Sequence, residues 1–197
     1  MERITAFVPF QSLEQAHQTT QTLKQEELVQ KIMYIYDDIR KTDNVRYIAT
    51  FSQTPYTLIY TKFTGLRFVR YALERMVQVL EATQAVMVYS DHFHDDTPAP
   101  VIDYQRGSLR DDFDFGGVQM YRTSKLKEAV AGMDTDYEYA GLYDLRLRAS
   151  RLGSVVHISE YLYYELDTDK RDSGEKIFDY VDPKNRRVQI EMEAACT

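Results

Sequence analysis

The sequence predicts an α/β domain, a mostly parallel sheet flanked by helices. Three observations point there. Compact apolar runs alternate with stretches of helical period in the first half of the chain. Several of those runs end abruptly in polar residues. The stretch YALERMVQVLEATQ places Leu73, Met76, Val77 and Leu80 at i, i+3, i+4 and i+7, one buried face of a helix. Alternation of this kind builds helices over a largely parallel sheet.

The elements follow in order. Residues 4–10 read as a first strand, ended by Pro9 and Phe10. Ser12 is placed to cap a helix over residues 13–25, whose thin apolar stripe is Leu13, Ala16 and Leu23. In KIMYIYDD, residues 32–36 form an apolar run of the buried parallel type, closed by Asp37 and Asp38. Residues 45–51 read as a third strand. A turn at Gln53, Thr54 and Pro55 leads to a fourth at 56–60. After the clear helix, residues 86–89 form another buried strand ending at Ser90 and Asp91. The first half thus reads β-α-β-β-β-α-β. The second half is less regular: a loop over 92–110, helices over 124–131 and 139–151, and strands at 155–158 and 161–164. The helix over 139–151 turns Leu142, Leu145 and Ala149 to one side. Residues 167–185 are charged and turn-rich, and RVQIEMEAACT has a helical pattern without a closing cap, as in a domain cut from a longer protein.

Composition narrows the function. With 197 residues the chain suits one domain with a substantial core. No apolar run approaches the ~18 residues a membrane helix needs, and MERITAFVPF lacks the pattern of a secretory signal. The single cysteine, Cys196, rules out an internal disulfide or a cysteine zinc site and fits a cytoplasmic protein. The net charge of −7 and scattered basic residues exclude a nucleic-acid reading. Arg146, Arg148 and Arg151 in LRLRASR read as the wet side of a helix. No P-loop or dinucleotide glycine fingerprint is present.

In such a sheet, ligands bind beyond the carboxyl ends of the strands. Those ends are residues 9–12, Asp37-Asp38, Thr61-Lys62 and Ser90-Asp91. Asp37 and Asp38 are placed to meet a ligand at such an edge, although either could simply be a turn former ending a strand. Pro9 and Gln11 would shape the pocket wall.

The order of these pieces resembles the nucleotide-sugar-binding domain of family-2-type (GT-A) glycosyltransferases. ITAFVPFQS is similar to their opening strand, KIMYIYDD to the second strand at the nucleoside pocket, and YTLIYTK to the strand leading into the DxD motif. ALERMVQVLEATQAVMVYSD is similar to the helix and strand that follow. YAGLYDLRLRASRLGSVVHISEYLYYE is similar to the late helix and strand. The resemblance covers roughly residues 1–165, leaving 166–197 as a charged extension. GSLRDDFDFG and FDYVDPKNR resemble the N-terminal region of larger bacterial polysaccharide-pathway enzymes. It implies transfer of a sugar from a nucleotide sugar to a glycan acceptor. A divalent Mg or Mn ion held by carboxylates would sit on the diphosphate, and a later carboxylate would act as base.

Both carboxylate motifs are absent where the resemblance would put them. Residues 45–73 contain no acidic side chain, and the metal position holds Thr61, Lys62 and Thr64. The late acidic pair falls on Gly141 and Leu142, with Asp144 two positions further on. Three readings remain. The domain is a degenerate donor domain that binds weakly or only scaffolds a downstream catalytic domain. Or Lys62, Arg67 or Arg70 pair the diphosphate without metal. Or other carboxylates rebuild the site. SDHFHDD offers Asp91 as donor-site residue and metal ligand, with Ser90 beside it and His92 and His94 on one side of an extended strand. RDDFDFG offers Asp111, Asp112 and Asp114. Asp112 and Asp144 are the candidates for catalytic carboxylates.

Overall fold

A computed structural model describes residues 3–10, 12–110, 112–166 and 183–196. Strand β1 (Ile4–Pro9) is buried along its whole length. Helix α1 (Leu13–Gln25) follows at the expected place, with Ala16 Nα–H donating to the Ser12 carbonyl at its start (3.1 Å). Strand β2 (Val29–Ile35) pairs parallel with β1, and Tyr36, Asp37 and Asp38 leave its carboxyl end.

The expected strand at 45–51 is instead a helix, α2 (Thr42–Phe51). Its buried residues, Thr42, Val45, Ile48 and Ala49, fall three and four apart. The same segment also alternates, as Val45, Tyr47, Ala49 and Phe51. Helical packing wins because the burial follows the 3.6 period and Tyr47 meets Phe51 one turn on, with ring centroids 4.5 Å apart. Strand β3 (Tyr56–Tyr60) pairs parallel with β1 on the side away from β2.

Strand β4 (Gly65–Phe68), which the sequence reading lacked, precedes helix α3 (Ala72–Thr83). Leu73, Met76, Val77 and Leu80 are all buried on α3, as their spacing predicts. Strand β5 (Met87–His94) does not stop at Ser90 but runs through Asp91 to His94. Asp95, at φ 51°, then turns it into the short strand β6 (Thr97–Ala99) inside the expected loop. Strand β7 (Val118–Arg122) was also unforeseen. Helices α4 (Thr123–Ala131) and α5 (Gly141–Leu152) match expectation. The two short strands expected at 155–164 are one long strand, β8 (Val155–Leu166). Helix α6 (Pro183–Ala195) packs on α5. Most of the charged stretch expected at 167–185 lies outside the described residues.

The sheet has the order β2-β1-β3-β7-β5-β8-β4, with β6 on β5. Strands β1, β2, β3, β5 and β8 share one direction, and β4, β6 and β7 oppose it, so the sheet is mostly parallel. Two apolar cores cover its faces. One gathers α1 and α3 through Leu23, Leu73, Met76 and Leu80. The other gathers α2, α4 and α5 through Val45, Ile48, Leu126, Leu145 and Ala149. Among the described residues, no helix is long and apolar enough to cross a membrane.

The insertion of β7 between β3 and β5 matters most for the site. Because β7 runs opposite to β3, its amino end lies beside the carboxyl end of β3, with Tyr60 opposite Val118. The loop over 113–117 is thereby delivered to the edge where β1, β2 and β3 finish.

Candidate ligand cleft

A cleft of about 660 Å³ opens at that edge. One wall is Phe10, Tyr36, Asp37, Asp38 and Arg40, from the ends of β1 and β2. The floor includes Thr61 and Lys62 beyond β3 and residues 113–116 before β7. Tyr139, Leu142, Tyr143 and Arg146 close the far side from α5 and its approach, and Met192 of α6 reaches the rim.

Aromatic surface dominates the first wall. Phe10 and Tyr36 meet at 5.1 Å between ring centroids, and Tyr36 is 74% exposed. An exposed ring held in place by another ring is a platform for a planar ligand. The aspartates beside it are ordered by cations. Asp37 pairs with Lys41 (2.6 Å) and accepts from the Asp38 Nα–H (2.8 Å). Arg40 grips Asp38 with two nitrogens, Nε to Oδ1 at 2.9 Å and Nη2 to Oδ2 at 2.6 Å. The Lys41 ammonium holds the Asp37 carboxyl below the usual aspartate range. For Asp38 partial burial pushes the other way, but the hydrogen bonds and charge of Arg40 outweigh it and the shift is downward. Both are carboxylates at neutral pH, with lone pairs left to accept from a ligand.

The floor is shaped by two glycines. Gly116 takes φ +69°, and a Cβ there would meet the Tyr163 hydroxyl, so only glycine fits without displacement. Asp114 Oδ1 accepts from the Gly116 Nα–H (2.8 Å), and the buried Tyr163 hydroxyl accepts from the Nα–H of Gly117 (2.8 Å) and of Val118 (3.3 Å). Burial raises the Tyr163 phenol well above its ordinary pKa, so it stays neutral.

The sequence candidates separate in space. Asp37, Asp38 and Lys62 line the cleft. Pro9 is buried at the end of β1, one residue short of Phe10, and Gln11 lies outside the described residues. Ser90 is fully buried and donates to the Asp91 carbonyl (3.0 Å). Asp91 lies inside the sheet, where Oδ1 accepts from the Val101 Nα–H and faces His157 Nε2, each at 2.9 Å. Asp103 engages the other nitrogen of that ring (2.7 Å). Asp112 is exposed and paired with Arg110 (2.6 Å). Asp144 is 2% exposed and accepts from Arg148 Nε (2.7 Å). None of Ser90, Asp91, Asp112 and Asp144 lines the cleft. His92 is buried, stacked on Tyr163, whereas His94 is exposed. Arg67 and Arg70 lie over Tyr164 and Tyr71, leaving Lys62 as the member of that cationic trio that lines the cleft.

Phe10, Tyr36, Tyr143 and Arg146 are among the lining residues that the sequence reading did not assign to the cleft, and Arg146, expected on the wet side of its helix, is instead buried. Arg146 had a visible signal. It stands four positions after Leu142 and next to Leu145, on the face of α5 that turns inward, and it is 4% exposed.

No family model and no curated protein matches the chain by sequence. Solved structures do match its shape. The S. aureus TarS fragment 1–349 in complex with UDP-GlcNAc superposes with a TM-score of 0.60 at 11% identity, over 98% of this chain and 66% of that one. The same fragment in complex with UDP gives 0.59 at 9% identity, over 83% and 60%. TarS as a longer chain gives 0.58 at 9% identity, over 83% of this chain and 36% of its own length. The fold is GT-A-like. This chain spans about 60% of the first TarS fragment it matches. A GT-A site is expected to hold a divalent metal on carboxylates beyond the strand that β3 represents. The residues there are Thr61, Lys62 and Phe63, and the described residues contain no group of three His, Cys, Asp or Glu side chains placed to share a metal. Hard divalent ions bind through several oxygens, commonly carboxylate, so this donor set does not fit one.

Proposed function

We propose that the chain is the nucleotide-sugar-binding domain of a glycosyltransferase of bacterial cell-surface polysaccharide assembly, working in the cytoplasm within a longer protein. The observation that carries this reading is the first wall of the cleft. An exposed aromatic platform stands beside two ordered carboxylates at the carboxyl edge of the parallel strands, where α/β sheets take their ligands. Phe10 and Tyr36 stack the base, Asp37 and Asp38 accept from base or ribose, and the sugar end reaches toward α5. The shared fold with TarS, solved with UDP and UDP-GlcNAc, supports this assignment.

Calorimetric titration with UDP, GDP and their sugars tests it. Binding that Tyr36→Ala and Asp38→Ala weaken is the expected result. No heat from any nucleotide or nucleotide sugar at millimolar concentration refutes it.

One observation favours a second reading, in which the domain no longer transfers sugar and instead organises a catalytic domain elsewhere in the longer protein. No carboxylate follows β3, and Asp144 is locked in a buried pair with Arg148. Loss of nucleotide-sugar hydrolysis and transfer in the isolated domain, with binding intact, supports that reading. Turnover by the isolated domain removes it.

A further inference from the structure

The charges of the cleft are unequal in one respect. Its carboxylates are engaged: Asp37 by Lys41, Asp38 by Arg40, and Asp114 by the Gly116 amide. Two of its cations lack an acidic partner. Lys62 is exposed and makes no ion pair or hydrogen bond among the described residues. Arg146 is buried against Tyr143, with its guanidinium 4.5 Å from the ring centroid. Phe115 and Tyr104 flank it at 6.0 and 5.8 Å. Its Nη1 donates to the Arg110 carbonyl (2.6 Å), but Nε and Nη2 find no acceptor.

A buried guanidinium with two idle donors is unfavourable in a finished protein interior. The described residues around it supply aromatic rings and one backbone carbonyl, but no carboxylate. Idle, parallel N–H donors on a fixed guanidinium match the oxygens of a phosphoryl group. Lys62 lies across the 113–117 loop from α5 and supplies a second, mobile positive charge.

We infer that Arg146 and Lys62 form a metal-free receptor for the diphosphate of a nucleoside diphosphate, standing in for the divalent ion that the residues beyond β3 do not fit. The inference rests on the nucleotide reading of the cleft and specifies its phosphate end. Charge that a metal would supply comes from the two side chains. The uridine or guanosine end remains with Tyr36 and Asp38.

Calorimetry in EDTA with three probes, uridine, UDP and inorganic pyrophosphate, tests this. Pyrophosphate and UDP are expected to bind without metal, and added Mn²⁺ to change either affinity less than about threefold. Arg146→Gln is expected to weaken both at least about tenfold, as for loss of a charged hydrogen bond, and to leave uridine unchanged. Because Arg146 is buried, Lys62→Ala serves as an exposed companion that cannot disturb the core, and it is expected to weaken the same two probes about three- to tenfold. UDP binding only with Mn²⁺, or unaltered by both variants, overturns the inference and leaves the nucleotide reading standing. Pyrophosphate binding lost in both variants, with no affinity for uridine or UDP, upholds the anion receptor and ends the nucleotide reading. No binding of pyrophosphate or UDP overturns both.

Discussion

Replacing Tyr163 with phenylalanine removes one oxygen from beneath the cleft and leaves the ring in place. That oxygen accepts from two backbone donors, Gly117 Nα–H at 2.8 Å and Val118 Nα–H at 3.3 Å, in a region with no exposure. Phenylalanine keeps the stacking on His92, with centroids 5.1 Å apart, and the packing on Phe68. The change is therefore electrostatic rather than steric. An orphaned buried donor costs about 1–3 kcal/mol, and the longer second bond adds a fraction of that. A loss of roughly 2–3 kcal/mol follows, or a fall in Tm of about 5–10 °C for a domain of this length. Urea unfolding measures the first quantity and calorimetry the second. Hydrogen exchange localises the effect, because the Gly117 and Val118 amides should exchange faster while those of β1 do not. Tyr161→Phe is the control: that ring packs on Phe93 and its hydroxyl makes no hydrogen bond among the described residues, so stability should move by less than about 0.5 kcal/mol. A Tyr163→Phe loss no larger than the control would refute the claim that this hydroxyl holds the floor of the cleft.

Other perturbations separate ligand roles from structural ones. Tyr36→Ala, at a 74% exposed position, should change stability by less than about 0.5 kcal/mol yet weaken UDP by about 1–3 kcal/mol in a calorimetric titration. Asp91→Ala should do the reverse, destabilising by about 2–4 kcal/mol in urea through the orphaned Val101 amide and His157 ring while UDP affinity stays within twofold. The Asp38–Arg40 pair should show in acid. Asp38 ionises below its ordinary value of 3.8 in the folded state, so its contribution is complete above about pH 4 and disappears as pH falls through the folded value. The stability difference between wild type and Asp38→Asn should narrow over that range in pH-dependent denaturation. Gly116→Ala should cost at least about 1–2 kcal/mol from its left-handed backbone alone, visible as a lower urea midpoint.

The strands and helices that the sequence disclosed are those whose packing obeys one local period. In β1, β3 and α3 the apolar residues sit where a strand or helix buries them, and no distant partner is needed to tell which; β2, read as a buried strand, is instead the half-buried edge strand, with only Ile35 fully buried. Residues 45–51 carry both periods at once, and only the sheet face beneath α2 decides between them. Strand β7 was hidden for a different reason. VQMYR is only five residues long, and its place between β3 and β5 comes from long-range pairing that leaves little local trace.

The site follows the same division. A polar residue after an apolar run marks a strand end only when no neighbour can satisfy it inside the sheet. Asp37 and Asp38 meet that condition: β2 is the edge strand, and their partners Lys41 and Arg40 come from their own turn. Asp91 does not. Strand β5 lies between β7 and β8, and β8 offers His157 while the chain after β6 offers the Val101 amide, so the strand carries a buried carboxylate and continues. Arg146 inverts the case. Its charge led the sequence reading to the wet side of the helix, yet it stands on the inward face of α5, where the aromatic rings around it cover the guanidinium. A charged residue at a core position of an amphipathic helix is where sequence reasoning should look for a ligand, since the fold has accepted a cation there without supplying its counter-charge.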